Sequence, residues 1–319
     1  MLLLVRVNEK VFASAGKFVI MGDRTLAILV TGATIAFVVN VILACIAGAT
    51  EGVVFKSRTG DISKRHETLV TPIGWTFMIW NVIFLTVGAA LLYLSWNIRR
   101  ENSNGLGKLY CNPAIFSKGA SIAFIINQIF FITWLFVWDT ENMTASAIIL
   151  VGILISNWTT LVMISRNLFK ATGYLSSTAP KDLWYYRILV QNSLGMYTAW
   201  TTLAALLNIN IALIHDVGVG NQTGSLLCLC LILAFIVGWF SVDIFYLDRF
   251  FRYLITPYLT LTWGLTGIQV KLLRLPQSQD SEKTPVMYFV TALLALLVLL
   301  TFLKAAVTVY RHAKKPLTE

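Results

Sequence analysis

The stretch Thr71–Trp96, TPIGWTFMIWNVIFLTVGAALLYLSW, runs for 26 residues without a charged side chain. At ~1.5 Å per residue, a helix of that length crosses the ~30 Å hydrocarbon core of a bilayer. It opens on Thr71-Pro72, and Pro72 suits a first helical turn, where its missing N–H has no partner to lose. Trp75, Phe77, Trp80 and Asn81 then crowd one end. A plain anchor needs only Leu and Val, so this end reads as one wall of a membrane-embedded pocket.

The rest of the chain has the same character. Its 319 residues are 57% hydrophobic and 13% charged, and the mean hydropathy is +0.74. A soluble domain carries about 25% charged residues. The expected fold is therefore all-α, a polytopic membrane protein. Eight spans are read, at 26–47, 71–96, 119–138, 145–164, 187–214, 224–245, 254–270 and 286–310. The seventh holds Pro257 and Gly264 and is short, so a kinked or re-entrant path is open to it. The chain divides into an N-terminal segment (1–25), a five-helix unit (26–215), and three further helices with a basic tail (216–319).

Charge gives an orientation. The net charge of +10 is spread over loops, which points away from nucleic acid. With eight spans, 18 of the 25 Lys and Arg fall on the side of the termini, and the loops at 139–144 and 215–223 hold none. Positive charge marks the cytoplasmic side, so both termini are expected there. The sequons at Asn142 and Asn221 fall in the opposite loops, while a third at Asn157 lies within the fourth span. The apolar run after Met1 ends at Arg6, too short for a secretory signal core of roughly 7–15 residues.

Catalytic chemistry finds little support. His66, His215 and His312 all lie outside the spans, and no HExxH, GxSxG or nucleotide-binding motif occurs. Four scattered cysteines make no disulfide framework, and Cys228-x-Cys230 points its sulfurs to different helix faces. What recurs is the amide: Asn40, Asn81, Asn127 with Gln128, Asn157, Asn192, Asn208 and Asn210. Amides in lipid need partners. They either tie helices together or face a ligand. Of the ten tryptophans, Trp96, Trp138 and Trp184 suit an interfacial belt. Trp80, Trp134, Trp158, Trp200, Trp239 and Trp263 lie deeper and pack or stack on a planar guest. Asp243 is the carboxylate set within an apolar run, with Arg249 and Arg252 near it in sequence. An intramembrane acid is a functional candidate as well as a structural one.

Three segments then fit one pattern. The second span reads Pro72-x-x-Trp75-x-Phe77-x-x-Trp80-x-x-x-Phe84, and the third carries Asn127-Gln128 and Trp134. The fifth reads Tyr197-x-x-Trp200-x-x-x-Ala204-x-x-x-Asn208. In that order they resemble the translocator protein / tryptophan-rich sensory protein family, over about 26–214. The departures are Met196 in place of a proline before the fifth-span tyrosine, a single proline at Pro72, a long 165–185 connection and three extra spans. The resemblance implies a five-helix bundle that binds a porphyrin or sterol-like molecule. It implies a pocket lined by Trp75, Phe77, Trp80, Asn127, Trp134, Trp200, Ala204 and Asn208. Trp200, Ala204 and Asn208 keep one helix face at i, i+4 and i+8.

The expected function is thus a non-enzymatic membrane receptor or carrier for a planar hydrophobic ligand. Its partners are the bilayer, that small molecule and, in an assembly, further copies or other membrane proteins. No other cofactor is implied. Two rivals differ in class: a secondary transporter or channel built around Asp243 and the proline-broken seventh span, and a scaffold subunit with a filled core.

Overall fold

The computed structural model describes residues 23–102 and 107–314, without the side chains of 279 and 280. Expectations for Arg6, Lys10, Lys17 and Lys315 lie outside the described residues. Among those described, regular structure is helical, apart from an isolated bridge between Glu101 and Lys108.

The elements in chain order are α1 (Arg24–Ala49), α2 (Thr59–Arg65), a 3-10 turn (Gly74–Met78), α3 (Ile79–Trp96), α4 (Lys118–Asp139) and α5 (Met143–Thr178). There follow α6 (Pro180–Tyr185), a π segment (Tyr186–Gln191), α7 (Asn192–His215), α8 (Asn221–Ser241) and a second π segment (Val242–Tyr246). The chain closes with α9 (Asp248–Phe251), α10 (Thr256–Arg274) and α11 (Asp280–Lys314). Seven of the helical stretches are long and apolar enough to cross a membrane. The chain is a multi-pass integral membrane protein.

The seventh expected span takes a different form. It is α10, an unbroken 19-residue helix that begins with Pro257 in its first turn. Its Thr, Lys and Arg content leaves it outside the seven apolar stretches. Its threonines are satisfied locally: Thr260, Thr262 and Thr266 donate to the carbonyls of Thr256, Tyr258 and Thr262 at 2.7–2.9 Å. Such back-bonding lets hydroxyls sit among helices without a partner elsewhere.

Two more boundaries differ from expectation. Pro72 does not sit in the first turn of a helix; it precedes a 3-10 turn that leads into α3. The 165–185 connection is mostly helix, because α5 continues to Thr178. Leu168, Ala171 and Leu175 extend its buried stripe at i, i+3 and i+7, and burial of that stripe outweighs the polar residues between.

One apolar core runs from Leu26 on α1 to Leu300 on α11. The amides stitch it. Asn127 Nδ2 donates to the Ile153 carbonyl (2.9 Å) and Ser156 Oγ (3.1 Å) on α5. Its Oδ1 accepts from Gln128 Nε2 (2.9 Å) and from the Tyr197 hydroxyl (2.8 Å) on α7. Gln128 Oε1 in turn accepts from Asn40 Nδ2 of α1 at 2.7 Å. Four helices meet through two side chains of α4. Asn157 donates to Thr201, Asn210 to Thr68, and Asn192 grips the Tyr253–Thr256 turn. Asn81 alone of the span amides is turned outward and exposed. The sequon residues Asn142 and Asn221 both accept backbone N–H bonds, from Ala145 and Leu69.

Polar clasps close both ends. At one, Arg100 and the Tyr93 hydroxyl hold Asp182, and Lys118 pairs with Asp23. At the other, hydrogen bonds from Arg65 and then His66 hold the Glu141 carboxyl down at about 2.

α10 docks on the opening of the second span. Trp263 Nε1 donates to the Thr76 carbonyl (2.8 Å) and Ile73 N–H to the Gly267 carbonyl (3.1 Å). The approach is so close that a Cβ on Gly267 would lie 1.9 Å from Thr76 Oγ1. Gly267→Ala is therefore expected to push α10 away and lower the thermal midpoint in detergent by several degrees. Gly238→Ala, with nothing within 4 Å of the added carbon, is expected to leave it unchanged. Equal midpoints for the two variants would contradict this docking.

Candidate functional site

The site is built where α3, α4 and α7 converge. Three positions along α3, Trp80, Phe84 and Val87, turn toward the core at helical spacing. Trp80 stacks on Phe84 with centroids 5.4 Å apart. Its edges meet Phe131 (5.1 Å), Tyr197 (6.1 Å) and Trp200 (6.3 Å). From Phe131 the contacts continue to Trp134 (5.9 Å) and then Trp138 (5.4 Å). The result is a continuous run of rings through the bundle interior. T-shaped and stacked contacts of this kind set positive ring edges against negative faces.

The eight expected pocket residues do not all fall in one place. Trp80, Trp134 and Trp200 share the ring run. Phe77 meets Trp200 edge-on at 6.0 Å but is 38% exposed, so it forms the outer lip. Trp75 turns away from the rings and packs on Trp263 of α10 at 4.8 Å. Asn127 lies beneath them, its carboxamide bonded to three helices' groups as described above. Asn208 accepts from Ser146 on α5 at 3.0 Å and donates to the Ala204 carbonyl at 3.2 Å. Ala204 is half-buried on the same face.

Two indole N–H groups in the run stand out. Trp200 is 2% exposed, and neither its Nε1 nor that of Trp134 finds an acceptor among the described residues. Trp158, in contrast, donates to Thr202 at 3.2 Å. A buried donor left unmet costs about 1–3 kcal/mol. The rings of the run touch one another. Beside it, a small apolar cavity of about 10 Å³ is lined by Val87, Leu91, Phe124, Ile164 and Leu194.

Tyr197, Phe84 and Phe131 belong to the run and escaped the sequence reading as site residues. Tyr197 was visible as the first residue of the fifth-span pattern. Phe131 carried a weaker signal, one turn past Asn127 on the same face.

Asp243 lies apart from the rings. It is fully buried in the second π segment, and its partner is not Arg249 or Arg252. Lys304 of α11 reaches Asp243 Oδ1 at 2.7 Å and the Phe251 carbonyl at 3.0 Å. The Tyr258 hydroxyl of α10 donates to Oδ2 at 2.7 Å. Lys304 is one of the 18 cations that the charge count places with the termini, but its side chain is inside the bundle, 1% exposed. Arg252 pairs with Asp248 at 2.6 Å, as does Arg311 at 2.8 Å. The Asp243–Lys304–Tyr258 triad joins the second π segment, α10 and α11 with both carboxylate oxygens engaged.

A compact helical bundle with these features is a polytopic membrane protein with an aromatic interior. The chain belongs to the family described as TSPO-like protein, whose model matches residues 27–303. The match runs well beyond the 26–214 over which the resemblance was read, into the last helix. No curated protein and no solved structure matches the chain.

Breaking the buried ion pair on one side strands a charge. Asp243→Asn should destabilise the protein by about 3–5 kcal/mol, read from unfolding in mixed micelles. Combining it with Lys304→Met removes the stranded ammonium and should restore most of that loss. Equal losses in the single and double variants would show that the pair does not hold these helices.

Proposed function

We propose that the protein is a non-enzymatic membrane receptor or carrier for a planar hydrophobic molecule, a porphyrin or a sterol-like compound, held among Trp80, Trp134 and Trp200. The observation that carries this is the ring run with its two unmet indole donors. A flat apolar ligand with peripheral oxygen atoms offers faces to the rings and acceptors to those N–H groups. Because the rings touch, such a ligand enters only as they part, and Phe77 at the exposed lip is the first to move. Ala204 leaves room that a larger side chain would fill. Asn127 and Asn208 hold the walls by their bonds to α5 and α7, and Trp75 steadies the lip through Trp263. We place the basic end, with both termini, on the cytoplasmic face by the same charge bias as before.

Titration of the purified protein with protoporphyrin, followed by tryptophan fluorescence, tests the reading. Saturable quenching is expected, weakened roughly tenfold or more in Trp200→Leu, the change expected for a central aromatic anchor. Trp96→Phe, at an exposed span end, should match the wild type. Quenching without saturation, or the same curve in Trp200→Leu, would count for the scaffold alternative with a filled core.

A further inference from the structure

One amide of the spans is not committed to the bundle. The others each hydrogen-bond to a group of the protein. Asn81 is exposed, and its carboxamide has no hydrogen-bond partner among the described residues. It follows the start of its apolar stretch, Gly74–Trp96, by seven residues, roughly 10 Å of rise. That is below the headgroups, where water does not meet a polar group. A carboxamide facing lipid there carries a penalty until a partner donates to it or accepts from it. Exposed threonines escape the penalty by bonding back along their own helices. Thr86 donates to the Val82 carbonyl and Thr133 to that of Ile129, both at 2.8 Å. Asn81 makes no such bond.

Its register places it at the mouth of the ring run. Phe77, Asn81 and Phe84 follow at i, i+4 and i+7, so they lie along one edge of the span. Phe77 is the exposed lip and meets Trp200 at 6.0 Å. Phe84 stacks on Trp80 at 5.4 Å, and both of these rings are half-buried. Along this edge the run passes from interior to lipid, and the carboxamide stands between its two flanking rings. A ligand that parts the rings from the bilayer side passes Asn81 on the way in. Once seated, it leaves its outer rim within that residue's reach.

The chemistry of the free groups selects the rim. The indoles of Trp134 and Trp200 offer unmet N–H donors, and the Asn81 amide adds an NH₂ donor. None of the three carries a charge. Resting on the function proposed above, we infer that Asn81 is a specificity-determining residue of that site. From the lipid-side mouth it donates to an oxygen acceptor, a carboxyl or carbonyl, on the rim of the planar ligand. It thereby favours oxygen-bearing planar molecules over those edged wholly with hydrocarbon. A polar group placed to bond a ligand atom discriminates against the analogue that lacks it, because the group is then left unpaired.

Two porphyrins of the same ring system test this role. Protoporphyrin carries carboxyl groups on its rim, and etioporphyrin carries alkyl groups alone. Each is titrated into the purified full-length protein in detergent, with tryptophan fluorescence as the readout. Wild type is expected to hold protoporphyrin more tightly than etioporphyrin. Asn81→Leu, an exposed change that touches no internal bond, should weaken protoporphyrin about fivefold, the worth of one hydrogen bond. It should leave etioporphyrin unchanged, whereas Trp200→Leu should weaken both. Equal losses for the two porphyrins in Asn81→Leu, or no loss for either, would overturn the role of Asn81 and leave the ring slot standing. No saturable quenching by either porphyrin in wild type would remove the slot, and this role with it. A shift from dimer to monomer in Asn81→Leu, seen by native mass spectrometry with both affinities unchanged, would assign the amide to a contact between copies and overturn the inference too.

Discussion

Everything in this fold depends on the Asn127 carboxamide. Inside lipid no water meets a polar group, so each one is satisfied by the protein or remains a penalty. Asn127 spends both donors on α5 and both lone pairs on Gln128 and the α7 tyrosine. Asn40 joins through Gln128. Hydrophobic burial between membrane helices discriminates poorly among registers, because lipid tails are as apolar as leucine. A satisfied amide network does discriminate, since sliding any one helix by a turn strands several groups at once. The register it fixes is what brings the rings of α3, α4 and α7 into one run.

The later helices complete the unit by other means. α10 is too polar to stand as a plain anchor, yet its small residues allow close approach. A Cβ on Gly264 would come within 2.2 Å of Leu203, as one on Gly267 would of Thr76. Close backbones gain dispersion and admit the Trp263–Thr76 bond. The Asp243–Lys304 pair ties the second π segment, which continues α8, to α11 with its charges internally matched. That matching removes much of the reason to read Asp243 as an ion-coupling residue, because its two oxygens already have a cation and a hydroxyl.

Sequence legibility followed the kind of physical signal involved. Uncharged runs gave the helices, and the amides and tryptophans along them marked the interior. Trp80 and Trp200 came from the family pattern, and helical spacing kept Trp200 on one face with Ala204 and Asn208; Phe84 and Tyr197 stood in the same pattern but were not read as site residues. Long-range pairing was not: Lys304 with Asp243 requires knowing which helices are neighbours. A lysine alone in a 25-residue apolar span was the available clue, and it was assigned to loop charge. Trp75 was misplaced for a similar reason, since its partner Trp263 lies 188 positions away on α10. Pro72 fell outside the helix because the 3-10 turn at Gly74–Met78 opens the span in its stead. The end of α5 was missed because its buried stripe continues under a polar-looking stretch.

The most direct measurement is a density map of the protein in lipid nanodiscs containing protoporphyrin. The account predicts a flat density between α3, α4 and α7, with Trp80 and Trp200 parted around it and the Trp134 indole turned to its edge. A map in which those rings keep their mutual contacts, with the porphyrin absent or bound on the outer surface, would contradict it.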